Sequence, residues 1–109
     1  MPYDTGLAQR IREQVEGFPG TSEKEMFGGL SFFVNGNMAV GVIADDLMVR
    51  VGPDGNEQAL AHPAARPFNM TGKVMKGWVM VEPAGFEEDA ALNEWVLQGI
   101  NFARSLPAK

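Results

Sequence analysis

Cysteine is absent from the 109 residues, and histidine occurs once, at position 62. The lack of cysteine excludes disulfides, thiol nucleophiles and zinc sites built on thiolates. A single histidine also leaves few side chains for a metal centre or a general base. Composition therefore favours a function that needs no metal and no cofactor.

Long apolar runs are also missing, because no stretch approaches the roughly 20 residues that a membrane-spanning helix needs. The segment MPYDTGLAQR has neither a basic start nor an apolar stretch typical of a secretory signal. We expect a soluble cytoplasmic protein without membrane contact.

Positive charge is scarce, with nine basic against 14 acidic residues and a formal net charge of −5. Binding to DNA draws much of its affinity from Lys and Arg on phosphates, and the basic residues here are scattered. Direct nucleic-acid binding is therefore disfavoured. Clustering of Arg50, Arg66, Lys73 and Lys76 in the fold would permit weak, salt-sensitive contact at best.

The length and a hydrophobic content of 45% suit one globular domain over residues 1–109. Glycine is dense from Lys24 to Val42, with four in 19 residues. Their spacing matches neither a P-loop nor a dinucleotide-binding motif. We interpret Gly28-Gly29 as a bulge or kink entering a strand and Gly36 as a hairpin corner.

Three helices are predicted. Residues 4–16 carry an apolar stripe with Asp4 as N-cap and Gly17 as terminator. A short helix begins with a capping box of Asp54 and Glu57 and ends near Ala61. A long helix from about Phe86 to Ser105 presents a broad apolar face; that face consists of Leu92, Trp95, Val96, Gly99, Ile100 and Ala103.

Five strands are predicted between the helices. Asn35-Gly36 is a strong hairpin signal, and Asp45-Asp46 marks the next turn. These turns separate the strands Leu30–Val34, Met38–Ala44 and Leu47–Val51; the later strands are Pro67–Met70 and Gly77–Glu82. The predicted fold class is α+β, a two-layer α-β(3)-α-β(2)-α domain with a five-stranded antiparallel sheet and helices on one face.

Alternation along the hairpins assigns side chains to two faces. The face expected to form the core beneath the helices carries Phe33, Met38, Val40, Val42, Val49, Val51, Val79 and Val81. The opposite face is unusually apolar for contact with water and predicts an interface. Its candidate residues are Phe32, Ile43, Met48, Arg50, Trp78 and Met80.

Two alternatives stay open for that face. The N-terminal segment could cover part of it, or a bulge at Gly28-Gly29 or Gly41 could shift the register. If the face is exposed, we expect a homodimer or contact with another protein partner.

Candidates for catalysis are weak. His62 precedes a proline, and no spacing unites it with Ser22, Ser31 or Ser105. The adjacent acids Asp45-Asp46 indicate a turn and not a metal site, and the acidic run 87–89 is typical of the first turn of a helix. We predict no enzyme, no catalytic residue, no cofactor and no metal.

Three segments carry a resemblance to a known family: KEMFGGLSFFVNGNMAVGVIADDLMVRVG, RPFNMTGKVMKGWVMVEP and LNEWVLQGINFARSLPAK. Together they resemble the N-terminal domain of the TfoX/Sxy family of competence regulators, over nearly the whole chain. The run MFGGLSFFVNG is the most specific part.

The resemblance implies a fold similar to secretion chaperones and a bacterial regulatory role, without catalytic or cofactor residues. The leading hypothesis is a small non-enzymatic domain that acts by protein contact. The alternative is a module that binds a small molecule or a peptide, for which a pocket near His62 and Arg66 would be the sign.

Overall fold

A computed structural model describes residues 3–26, 28–69, 72 and 74–108. It contains the helices α1 (Thr5–Val15), α2 (Asn56–Leu60) and α3 (Asp89–Ser105). Its strands are β1 (Thr21–Met26), β2 (Gly29–Val34), β3 (Asn37–Ile43), β4 (Asp46–Arg50), β5 (Ala65–Asn69) and β6 (Val74–Val81). Short 3-10 turns at Pro53–Gly55 and Pro83–Gly85 precede α2 and α3.

The strands form one antiparallel sheet in the order β1-β2-β3-β4-β6-β5. The prediction of α+β with antiparallel strands is confirmed, but the prediction of five strands is wrong because β1 is a sixth. Its sequence TSEKEM lacks the apolar alternation that marks a half-buried strand. It lies at the sheet edge, where charged side chains are common because they discourage pairing with other chains.

Two turns show where backbone geometry sets the register. Asn35 and Gly36 both have positive φ, 51° and 83°, as a type I′ hairpin requires, which confirms the turn between β2 and β3. The next turn was predicted at Asp45-Asp46, which is wrong. Its loop residues are Ala44, with φ 52°, and Asp45, so that Ile43 pairs with Asp46. This register differs from the prediction by two residues, so each side chain keeps its face.

A bulge in β3 does change the faces. Phe33 pairs with Met38 but Phe32 pairs with Val40, so Ala39 is an extra residue in β3. The extra residue turns Met38 to the opposite side of the sheet from Val40. The core positions predicted for Phe33 and Met38 are wrong, since both side chains are only half-buried.

Phe32 was predicted on the outside and instead lies buried in the core beside Leu30, each 3% exposed. The other predicted core residues of the sheet, Val40, Val42, Val49, Val51, Val79 and Val81, are confirmed.

Helices cover one side of the sheet only. α1 contributes Leu7, Ala8, Ile11 and Val15 to the core, as its apolar stripe predicts. Asp4 caps it, since its carboxylate accepts hydrogen bonds from the amides of Gly6 and Leu7. In α3 all six predicted apolar positions are buried.

The segment before α3 is fastened to α1. Arg10 donates hydrogen bonds to the carbonyl oxygens of Phe86 and Glu87 and forms an ion pair with Asp89. The capping box predicted for Asp54 and Glu57 is wrong, because Asp54 lies inside the 3-10 turn and the N-cap of α2 is Gly55, which has no side chain to accept a hydrogen bond. Asn56 instead accepts from the amide of Gly77 and ties α2 to β6.

Gly99 lets α3 approach the bulge closely. A Cβ at this position would lie 2.5 Å from the carbonyl oxygen of Ala39 and 2.7 Å from a methyl carbon of Val40. Neither backbone oxygen nor core valine can move aside without displacing the strand.

Gly99→Ala should therefore destabilise the protein by about 1–3 kcal/mol. The direction is informative, because the same change at an unobstructed helical site stabilises by about 1 kcal/mol. Urea denaturation measures both this variant and the control Gly17→Ala, in the turn after α1, where an added Cβ would meet nothing within 4 Å and the change should be neutral or slightly stabilising. A more stable Gly99→Ala protein would contradict the close approach of α3 to β3.

Arg12 and Glu23 join α1 to β1 by a two-point contact, with Nε and Nη2 of Arg12 donating at 2.9 and 2.7 Å. The hydrogen bonds from Arg12 hold the pKa of the Glu23 carboxyl below its ordinary value of 4.5. A carboxyl whose pKa is lower in the folded state stabilises folding above its unfolded pKa. The contribution is lost as the pH falls through the folded pKa.

Glu23→Gln should lower the free energy of unfolding by about 0.5 kcal/mol at pH 7, a small value because both side chains are well exposed to solvent. The difference from wild type should shrink as the pH falls below 4.5. Denaturation at a series of pH values measures it, with exposed Glu13→Gln as control. A difference that persists unchanged at low pH would disprove the ion-pair origin.

Candidate functional site

The side of the sheet away from the helices, here called the outer face, has an apolar cluster of its own. Met48, Phe68 and Met80 are buried there, and Met38, Ile43 and Trp78 pack against them half-buried. No helical residue belongs to this outer cluster. Within the part of the chain that the structure describes, no second layer of helices lies over these apolar side chains.

Four of the predicted interface residues belong to the outer cluster: Ile43, Met48, Trp78 and Met80. Phe32 does not, because the bulge at Ala39 turns it into the core. Reasoning from sequence missed Phe68 and Met38. Phe68 follows Pro67 in an edge strand with a register shift, and Met38 precedes the bulge, so simple alternation misplaced it.

Arg50, the remaining predicted residue, lies at one end of the outer face. Its guanidinium carbon is 5.0 Å from the ring centre of Trp78 on the outer face and 5.3 Å from that of Phe102, a residue of α3, so the guanidinium lies at the end of the sheet where the helical layer meets the outer face. Both distances are within the range of cation–π contact, so two aromatic rings help to hold the guanidinium in place. Its donors have no carboxylate partner within 4.0 Å in the described residues, which include every Asp and Glu of the chain.

Acidic side chains occupy the other end of the outer face. Arg66 forms ion pairs with Asp46 and, at 3.4 Å, with Glu82. Two carboxylates around one guanidinium leave this end with a net negative charge. Beside it, a groove of about 410 Å³ runs between β3, β4 and β5; its lining includes Ile43, Asp46, Arg66, Phe68 and Met80.

A second concave region, of about 470 Å³, lies between α2 and α3. It is lined by Gln58, Ala59, His62, Gly85, Ala91, Glu94, Trp95 and Gln98. His62 packs edge-on against Trp95 at 5.4 Å, and its Nδ1 accepts a hydrogen bond from the amide of Ala64 at 3.0 Å. The pocket expected near His62 and Arg66 thus includes His62 only.

The remaining candidates for chemistry are dispersed. Ser22 and Ser31 lie in β1 and β2, and Ser105 donates to the carbonyl oxygen of Phe102 at the end of α3. None of the three lines the His62 cavity. Among the described residues no group of three or more His, Cys, Asp or Glu side chains is placed to hold a metal ion.

The basic residues suggested for nucleic-acid contact do not form one free patch. Arg66 is paired with two acids and Arg50 lies at the opposite end of the outer face, while Lys73 lies outside the described residues. In the part of the chain that the structure describes, no helix has the length and apolar character to cross a membrane.

The fold and this surface define the class of the protein: a small two-layer α+β domain whose sheet is covered on one side. Within that class, residues 13–103 match the family model of the TfoX N-terminal domain. The match covers most of the chain, and the protein belongs to this family. No curated protein and no solved structure matches the chain.

Proposed function

We propose that the protein is a small non-enzymatic regulatory domain that acts by protein contact through its outer face. The observation that carries this proposal is the outer cluster, six apolar side chains on the side of the sheet that no helix covers. Apolar patches on one face of a soluble domain are typical of interaction sites, and methionine side chains adapt readily to a partner.

The family supports a regulatory role resembling that of competence regulators, with a cytoplasmic location as part of the same proposal. A homodimer is the simplest contact of this kind. The expected likeness to secretion chaperones, many of which are small, acidic and dimeric, stays a prediction and would fit a homodimer. The absence of catalysis also belongs to the proposal.

Met38→Gln/Ile43→Thr tests the outer face. Both side chains are half-buried in the outer cluster. Gln has nearly the shape of Met, and Thr keeps the β-branch of Ile with a hydroxyl in place of the ethyl group, so both replacements add polarity. The wild-type chain of 11.8 kDa should form a dimer in sedimentation equilibrium. The variant should weaken the dimer at least about tenfold, because apolar burial at the interface is lost.

The matched control is Leu97→Gln, which changes a half-buried apolar side chain on α3, on the helical side. Circular dichroism would check that all proteins are folded. Equal dimer affinities for wild type and Met38→Gln/Ile43→Thr, or a dimer broken by Leu97→Gln alone, would contradict contact through the outer face.

Binding of a small molecule or peptide is the second candidate function, and the cavity between α2 and α3 favours it. Its volume is within the range of ligand sites, and its floor of buried Ala59 and Trp95 is apolar. Gln58, Glu94 and Gln98 add polar groups at its rim, and none of the three makes a side-chain hydrogen bond to another described residue.

Ala91→Phe, which places a ring in this cavity, tests the second candidate. Thermal unfolding with a set of amines, carboxylic acids and short peptides would be recorded for both proteins. A ligand of the cavity at 100 times its Kd should stabilise wild type by about 2.7 kcal/mol and leave the variant unaffected. Equal stabilisation of both proteins, or of neither, would contradict a ligand site here.

A further inference from the structure

Polarity changes along the two central strands of the outer face. β4 presents Asp46, Met48 and Arg50 in order, and Met48 and Arg50 pair with Met80 and Trp78 of antiparallel β6. The same register places Glu82, which follows β6, next to Asp46. The outer face is therefore acidic at one end, apolar in the middle, and basic with an aromatic ring at the other end.

A surface with this order is complementary to itself. Two copies can stack with their outer faces together, related by a two-fold axis that lies between the two sheets. If this axis passes above Met48 and is perpendicular to β4, then β4 of the second copy runs in the opposite direction. Met48 then faces Met48, and each residue at one end faces a residue of the other end. Closed dimers have this isologous form, in which one patch on both copies makes the contact.

We propose that the outer face is a two-fold interface between two copies of the chain, in which Arg50 of each copy pairs with Asp46 and Glu82 of the partner subunit. The proposal rests on the proposed function and adds the geometry and charge pairing of the contact. Asp46 and Arg50 are four residues apart along β4, about 13 Å, so the two ion-pair sites lie on either side of the apolar centre.

Arg50 is positioned to bind a carboxylate of a second copy. Trp78 and Phe102 hold its guanidinium, while its N–H groups make no hydrogen bond to another described residue. Arg10, Arg12 and Arg66 each have a carboxylate within their own chain, whereas Arg50 has none among the described residues. A planar guanidinium with a fixed orientation favours two-point contact with a carboxylate.

The acidic end can accept this contact. Asp46 receives Arg66 on Oδ2 and Glu82 receives it on Oε1, so each carboxylate keeps an oxygen that no other described residue bonds. Two negative charges against one positive charge leave the end attractive to a further cation. Across the same axis, Ile43 of one copy lies over the end of β3 that carries Met38 in the other, so apolar groups meet beside the ion pairs.

Charge reversal in separate chains tests the pairing. Arg50→Glu and Asp46→Lys/Glu82→Lys should each weaken self-association by about tenfold or more in sedimentation velocity, because like charges meet at both ion-pair sites. A 1:1 mixture of the two variants should form a heterodimer within about threefold of the wild-type affinity, because both sites regain opposite charges. Arg104→Glu is the matched control, since Arg104 stacks on Phe18 of the helical side and has no carboxylate partner in the described residues.

The outcomes are distinguishable. Dimers of Arg50→Glu as tight as wild type, or variants that stay monomeric when mixed, would overturn the pairing while leaving contact through the outer face intact. A wild-type chain that remains monomeric at millimolar concentration would overturn the homodimer itself. A mass above that of a dimer would overturn the closed two-fold geometry.

Discussion

The extra residue in β3 is the constraint on which the remaining structure depends. Ala39 interrupts the pairing of β2 with β3, and the strand behind it presents Val40 and Val42 to the helices while Met38 turns away. α3 lies directly over this bulge, with Gly99 above the Ala39 carbonyl. A bulge that sorts side chains and a glycine that lets a helix approach it are thus parts of one packing arrangement.

The distribution of side chains between the two faces of the sheet produces two apolar clusters rather than one. Leu30 and Phe32 join the valines under α1 and α3, and the larger core forms there. Met38 joins Met48, Phe68 and Met80 on the other side. A two-layer domain can leave one face of an antiparallel sheet to water, in which case polar residues alternate with core residues. Here methionine and tryptophan stand at many of those alternate positions, and their side chains need a partner or each other.

The ion pairs also differ between the helical side of the sheet and the outer face. Ion pairs on the helical side fasten elements of the chain to one another, as Arg10 does for the start of α3 and Arg12 does for β1. On the outer face Arg66 gathers two acids at one end, and aromatic rings rather than a carboxylate hold Arg50 at the other. Ion pairs on the helical side thus join elements of one chain, whereas the outer face has polar and apolar groups that another surface can complete.

Sequence reasoning was sufficient for the parts of the fold with strong local signals. The stripe of α1 with its Asp4 cap, the Asn35-Gly36 hairpin and the apolar face of α3 were all predicted correctly. β1 was missed because its side chains alternate in charge and not in hydrophobicity. The face of Phe32 depends on one inserted residue, and alternation has no means of detecting such an insertion when both neighbours are apolar.

The candidate site was predictable to the same extent. Ile43, Met48, Trp78 and Met80 follow from alternation, since a turn shifted by two residues leaves each side chain on its face. The pairing of Asp46 with Arg66 and the position of Arg50 beside Trp78 and Phe102 join residues 20 to 52 positions apart, and only the folded chain brings them together.

The proposed contact lies on the outer face. Hydroxyl-radical footprinting at low and high protein concentration, read out by mass spectrometry, tests it most directly. Oxidation of Met38 and Trp78 should fall as the protein associates, while oxidation of Phe18 and Leu60 on the helical side should stay constant. Protection of Phe18 and Leu60 with unchanged oxidation of Met38 and Trp78 would contradict the claim.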